Sequence, residues 1–571
     1  MATATDFSAD TPAYIQFSQI ESWLASSDAL QLPLHQIESQ QQAKGREVQR
    51  LLLQAHLHHR GNGDVGPALQ LEQNDGTVLY SHRRLSTRSL TTVFGTVELV
   101  RMGYSRRGAP SIFPLDKALA LPARSFSYEL QRRLVKAAVQ NPFLESVQTI
   151  AELTGVAVPK RSLEEILPDA ARDFDAFYQQ RSVATATGSI LVAAVDCKGI
   201  PMVKPCAVQP RARLTKGQKA NKKRMATVAT VFTRAPWVRT PQQVIDSLFP
   251  ASRPAPGEAT PPPPRPENKR VWASLLKGKT AVIEEVAAEM DRRDPARSAT
   301  RLALTDGERA LQIRVDQKLK VTLILDLIHV LEKLWKAAYV FHPEGSLEAD
   351  LWVLDRALRI LFGEVGQVVK GIRQSITKRG LSGPKRKTLN AVANYLYRNR
   401  SRMRYDEYLA NGWPIASGPV EGACKNLIKD RMERSGMRWT EQMAEAIVQL
   451  RAIYLSGDFD RYWQFHIDQD QRRLYPSWTV VLKWPHPNQF RSAGGQSPLL
   501  TFGGVVPASP PKWHPPPPPL TSHRPPSLFD SAPQRRGHVL RRQVSSAATQ
   551  PGCLSPQVSR VESAAHCRGS G

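Results

Sequence analysis

The spacing of hydrophobic and polar residues changes period several times along the chain, and each change marks an element. Between residues 36 and 60 a Gln-rich stretch gives way to Val48, Leu51, Leu52, Leu53 and Leu57, a helical spacing that stops at Gly61-Asn62-Gly63. From residue 77 to 107 the pattern turns to β-branched alternation, clearest in Leu90-Thr-Thr-Val-Phe-Gly-Thr-Val-Glu-Leu-Val100, which predicts a small sheet. Helical spacing returns at 128–139 and runs on through 142–153 and 162–177, with Thr154-Gly-Val-Ala-Val-Pro159 between the last two. Ser162 and Glu165 offer a capping box there. Two helices joined by a short glycine-containing turn have the layout of a helix-turn-helix, though any antiparallel helix pair shares it.

Residues 190 to 195 form an apolar, β-branched run that reads as a buried strand with Asp196 at its end. Lys198-Gly199 and the apolar-basic stretch to Lys204 suggest a turn into a second strand, and 225–232 reads as another buried strand. A helix at 281–293 precedes Arg301-Leu-Ala-Leu-Thr-Asp306-Gly307, again an apolar strand ending in Asp. A further strand, 321–325, ends in Asp326, with His329 three residues on and a helical pattern through Leu331, Leu334, Trp335 and Ala338. Such an order, with acids at successive strand ends, is that of an RNase H-like α/β domain, and ligands gather at the carboxyl ends of its strands. Each acid also has a plainer reading: Asp196 as a turn residue, Asp326 as a helix cap.

Residues 346–405 are helical throughout, an all-α insertion. After it comes Gly412-Trp-Pro-Ile-Ala-Ser-Gly-Pro-Val-Glu421-Gly-Ala-Cys-Lys-Asn-Leu-Ile-Lys429. Pro419 suits a first helical position with Gly418 as cap, which puts Glu421 in the first turn, where a carboxylate also answers the helix dipole. Lys425 and Lys429 continue its face at four-residue spacing, and Arg431, Arg434 and Arg438 follow. A carboxylate among so many cations suggests a metal-and-phosphate face, or ordinary surface pairs.

Charge sharpens this picture. Lys and Arg outnumber Asp and Glu by 78 to 51, a net +27, which points to a polyanionic partner, by default nucleic acid. A dense loop, Arg211, Arg213, Lys216, Lys219, Lys222, Lys223 and Arg224, lies beside Asp196 in sequence and is placed to hold phosphates. No apolar run approaches 18 residues, and the polar first residues have no signal-peptide core, so a cytoplasmic protein is expected. Five cysteines without Cys-x-x-Cys spacing support neither a disulfide framework nor a structural zinc site.

The expected organisation is an α+β N-terminal region, an α/β catalytic domain and a tail. It comprises a poorly ordered leader, 1–35; an N-terminal helix and small sheet, 36–125; a helix-turn-helix region, 126–182; the first part of the catalytic domain, 186–345; the insertion, 346–405; and the domain's C-terminal helices, 406–475. From 477 to 571 a Pro-rich, aromatic-poor composition predicts a disordered extension.

Four stretches, Val195-Asp-Cys-Lys-Gly-Ile-Pro-Met-Val-Lys204, Leu304-Thr-Asp-Gly307, Leu325-Asp-Leu-Ile-His329 and Ile415-Ala-Ser-Gly-Pro-Val-Glu-Gly-Ala-Cys-Lys425, resemble a bacterial insertion-sequence transposase of the DDE type, ISKra group. Phe94-Gly-Thr-Val97 and Asp173-Phe-Asp-Ala-Phe-Tyr178 resemble it too. The resemblance covers roughly residues 40 to 475 and implies that Asp196, Asp306 and Glu421 are the catalytic triad and hold two Mg²⁺ or Mn²⁺ ions. Asp196 would bridge the ions, with Asp306 and Glu421 each helping to hold one. Asp326 and His329 are similar to an Asp-x-x-His motif of Mutator-like transposases, which makes them auxiliary candidates. The implied partners are double-stranded DNA, both terminal inverted repeats and target, with homo-oligomers on DNA in a bacterial, nucleoid-associated setting. An RNase H-like nuclease such as a resolvase would use the same carboxylates, and a transposase-derived DNA-binding protein would need none of them.

Overall fold

An all-apolar strand must be covered on both faces, and in the computed structural model residues 190 to 195 belong to the middle strand of a five-stranded sheet, each at most 3% exposed. The structure describes residues 11–73, 76–183, 190–203, 223–249, 262–416 and 418–475. In chain order the strands are β1 (Leu69–Gln73), β2 (Gly76–Tyr80), β3 (His82–Thr92), β4 (Gly95–Ser105), β5 (Ile190–Ile200), β6 (Arg224–Arg234), β7 (Glu267–Ser274), β8 (Thr300–Thr305) and β9 (Thr322–Leu325). The large sheet has the order β7-β6-β5-β8-β9. Helices Lys279–Arg293 and Arg309–Leu319 make the two crossovers that its parallel pairs require.

Register places the acids. β5 runs antiparallel to β6 over its whole length, from Ile190 opposite Arg234 to Ile200 opposite Arg224. It pairs in parallel with β8 only from Ile190 opposite Thr300 to Ala194 opposite Leu304. Beyond Ala194 the two strands part, and Asp196 stands in that gap. β8 runs parallel to β9, with Thr305 opposite Leu325. Continuing the register brings Asp306 and Asp326, just past the ends of β8 and β9, level with Asp196, which lies inside β5 opposite Val228; the turn expected at Lys198-Gly199 is instead a continuation of β5.

The insertion is helical as expected: Leu347–Leu361, Val365–Lys378 and Gly383–Asn399, whose buried stripes join the core that encloses the sheet. That core also takes in Leu130, Leu134, Leu163, Ile166 and Phe177. Helices Tyr128–Ala138, Phe143–Thr154 and Lys160–Ala171 are therefore packed into the same body as the sheet. Tyr462 donates its hydroxyl to the Ala170 carbonyl at 2.5 Å, and Arg431 donates Nε to the Ala138 carbonyl at 2.9 Å. The two-helix layout with Gly155 at φ 72° is present, but the second helix starts at Lys160 without a side-chain cap, so Ser162 and Glu165 form no capping box. Glu165 is drawn instead to Arg124, at 3.0 Å.

Towards the N-terminus the expected small sheet is two separate antiparallel ribbons, β1-β2 and β3-β4; Leu69, Leu71 and Tyr80 of the first pack with Met102 and Tyr104 of β4, and Leu90, Val97 and Leu99 of the second form another cluster. The leader differs from expectation. Residues 12 to 30 hold helices Pro12–Leu24 and Ser27–Leu30, the first capped by Thr11 and started by Pro12, with Ala13 and Ile20 buried. Five of the basic-loop residues, Arg211, Arg213, Lys216, Lys219 and Lys222, lie outside the described residues, as does the extension from 477. No helix among the described residues is long and apolar enough to cross a membrane.

One buried ionic group ties the sheet to its crossover helix. Glu289, 1% exposed, accepts from Arg270 at 2.7 Å, from Arg293 at 2.7 and 2.9 Å, and from Arg292 at 2.6 Å. Burial alone would raise its carboxyl, but Arg270 and Arg293 outweigh that and hold it down at about 2.

Candidate metal centre

Each of these acidic residues is fixed by local chemistry. Asp326 follows β9 and caps helix Leu327–Phe341, accepting the Ile328 N–H at 2.8 Å, while its own N–H donates to the Thr305 carbonyl at 3.0 Å. The capping reading of Asp326 is thus correct, and the cap uses only one of its two carboxylate oxygens, Oδ1. The other, Oδ2, lies 3.7 Å from Nδ1 of His329, one turn along the helix. The Asp326 carboxyl is fully buried, and His329 is half-buried beside it.

Glu421 reaches the same place from the other end of the chain. It lies in the first turn of helix Gly418–Ala423, which continues as a π-helical segment, Cys424–Lys429. One ligand atom from each of Asp326, His329 and Glu421 lies within 4.8 Å of the others. Asp196 borders the group: its Oδ2 accepts the Cys424 thiol at 3.1 Å and its Oδ1 accepts the Cys197 N–H at 2.6 Å. Asp306 accepts the Glu308 N–H at 2.9 Å, and its carbonyl accepts the Tyr395 hydroxyl at 2.8 Å. Gly307, at φ 88°, is required there, because a Cβ would meet Tyr395 at 2.7 Å.

The groups feel one another. Burial raises the Glu421 carboxyl, and Asp326, Glu332 and Asp196 raise it further, against His329. The Asp326 carboxylate raises His329 to about 9 against the effect of burial, with Glu332 and Asp306 adding to it. Carboxylates crowded this closely are costly without a compensating cation. Two carboxylates and an imidazole with converging ligand atoms fit a divalent ion. The oxygens suit Mg²⁺ or Mn²⁺, and the nitrogen favours Mn²⁺ of the two, since Mg²⁺ keeps to oxygen.

No known family model matches the chain, and no curated protein matches it.

Of the triad expected from sequence, Glu421 sits inside the convergent group, while Asp196 and Asp306 flank it. Asp326 and His329, expected as auxiliaries, supply the other two convergent ligands. Sequence reasoning missed Tyr395 and Glu332, which carry no motif, and Cys424, whose position one turn after Glu421 was a usable signal.

The expected phosphate face is divided. Lys425, Lys429, Arg434 and Arg438 are exposed. A π turn closes i to i+5, however, so four-residue spacing from Glu421 does not keep one face here. Lys223 pairs with Glu433 at 2.6 Å, and Arg224 pairs with Glu441. Arg431 is a correction: it is fully buried, its guanidinium carbon 5.3 Å from the Phe143 ring centroid and 5.0 Å from that of Trp439, and it serves packing in place of phosphate binding.

Proposed function

We propose that the chain is a DNA transposase of an insertion sequence, with an RNase H-like catalytic core that binds terminal inverted repeats and carries out metal-dependent strand cleavage and strand transfer. The observation that carries this reading is the convergence of Asp326, His329 and Glu421 beside the carboxyl ends of β8 and β9, flanked by Asp306 and by Asp196 of the neighbouring β5. The strand order, with β6 antiparallel beside the central strand and two parallel strands on its other side, supports the same core. The excess of cations supports a DNA substrate.

Cleaving a phosphodiester and joining a 3′ hydroxyl to another are both in-line displacements at phosphorus. Divalent ions, when bound, stabilise the attacking and leaving oxygens of such a displacement. In this chain Glu421, Asp326 and His329 would hold one ion, and Asp196, inside β5, and Asp306, just past the end of β8, would help to hold a second. Asp326 keeps its orientation through the cap, and Asp306 through the Glu308 N–H and Tyr395. The exposed cations Lys425, Lys429, Arg434 and Arg438 would draw the DNA backbone to the adjacent surface.

The functional test is a duplex bearing the DNA that flanks the gene, incubated with the full chain in Mg²⁺ or Mn²⁺. Paired inverted repeats in that DNA, cut to leave 3′ hydroxyl ends, are expected; absence of cutting in both metals would overturn the proposal. Tyr395→Phe serves as a positioning test. Losing one hydrogen bond costs about 0.5–1.5 kcal/mol, and joining is expected to slow roughly tenfold with metal dependence retained. A variant joining at the wild-type rate would show that Tyr395 does not hold the Asp306 loop in its working position.

A further inference from the structure

The insertion carries a charge pattern that metal binding leaves unexplained. Residues 365 to 404 contain eleven Lys or Arg and no Asp or Glu. Helices Val365–Lys378 and Gly383–Asn399 bury Val368, Val369, Ile372, Leu389, Val392 and Leu396, so the packing fixes a mutually repelling set of cations on the outer surface. Between these helices lies a cleft of about 500 Å³ lined by Lys370, Arg373, Gln374, Lys378 and Tyr397, with no acidic residue in its wall. Tyr397 is 45% exposed. The guanidinium carbons of Arg373 and Arg400 lie 5.4 and 4.2 Å from its ring centroid.

We propose that this cleft is a docking groove for an unpaired DNA strand, with Lys370, Arg373 and Lys378 on its phosphates and one base stacked on Tyr397. The charge calls for a polyanion. An exposed aromatic ring with guanidinium groups beside it selects among polyanions, because only an unpaired base has a free face to stack on it; in a duplex those faces are already covered. The groove also communicates with the site. Tyr397 and Tyr395 lie two residues apart on one helix, and Tyr395 holds the Asp306 carbonyl at 2.8 Å. A strand seated on the outer part of the helix is thereby tied to the loop that carries a flanking carboxylate. This inference rests on the proposal that DNA is the substrate.

The test measures binding of the full chain to a single-stranded oligonucleotide and to a duplex of equal length, at several salt concentrations. Four proteins are compared: wild type, Tyr397→Ala, Tyr397→Phe, and the triple variant Lys370→Gln, Arg373→Gln, Lys378→Gln. All these side chains are exposed, and a circular dichroism spectrum confirms that each variant is folded. Tyr397→Ala is expected to weaken single-strand binding roughly tenfold, with Tyr397→Phe near wild type and the duplex little affected. The triple variant is expected to lower the salt slope for the single strand by about 2, since each phosphate contact contributes about 0.7. Wild-type affinity and slope in both the alanine and triple variants would overturn the groove, as would an equal loss on duplex and single strand. Wild-type joining is measured alongside: a chain that joins DNA while the variants bind normally refutes the groove alone, whereas a wild type that neither binds nor joins DNA refutes the transposase reading itself.

Discussion

Replacing Glu421 by Gln is expected to slow strand joining by at least about a hundredfold, ~2.7 kcal/mol of barrier, with the fold intact. Gln keeps the shape of the side chain and removes its charge. Because Asp326, Glu332 and Asp196 already raise the Glu421 carboxyl, removing that charge relieves repulsion when no cation is present, so the unfolding midpoint should hold or rise. A carboxylate that merely answered the helix dipole would behave the other way, costing roughly 0.3–1 kcal/mol of stability and leaving the chemistry within tenfold. Joining rate on a pre-nicked repeat end, unfolding midpoint and DNA binding, measured together, separate the two. Asp326→Asn is a matching probe, since Asn caps a helix as well as Asp does. It should keep the cap while removing the counter-charge of His329, and impair joining; unimpaired joining would confine Asp326 to its cap.

The second large effect concerns stability. Glu289→Gln should cost about 3–5 kcal/mol, because Arg270 and Arg293 would be left buried without their counter-charge. The same group sets the acid limit. Glu289, and Asp173 beside His466 and Arg473, both hold folded values of about 2, well below the ordinary range near 4. Their stabilisation is complete above that ordinary range and is lost as pH falls through it towards 2. Urea unfolding at pH 7 and at steps down to pH 2.5 checks this: the gap between wild type and Glu289→Gln should narrow with acid. A constant gap would mean that the lost interaction is not ionic.

Strands β8 and β9 and the acids that follow them were legible because a short apolar run ending in Asp has few other readings; the apolar run of β5 was legible too, but the strand continues through Asp196, Lys198 and Gly199, because those residues keep pairing with β6. The insertion was legible from its 3.6-residue period. What stayed hidden depended on contacts distant in sequence. Nothing local reveals that Glu421 lies among Asp326 and His329, or that Phe143 and Trp439 enclose Arg431. The π segment also breaks the four-residue rule on which the phosphate face was read. The leader is a different case: Thr11-Pro12 is a helix start that local rules contain, and its helix packs on Leu34–His59.

The most direct measurement is strand joining by the purified full chain, with a duplex ending in a 3′ hydroxyl and the gene's flanking repeat, a supercoiled plasmid as target, and Mg²⁺ or Mn²⁺. Covalently joined products are expected in the presence of metal, absent with EDTA and absent for Asp196→Asn. Failure of the wild type to join DNA in either metal, or joined products that persist with EDTA or with Asp196→Asn, would contradict a metal-dependent phosphoryl transfer at this centre.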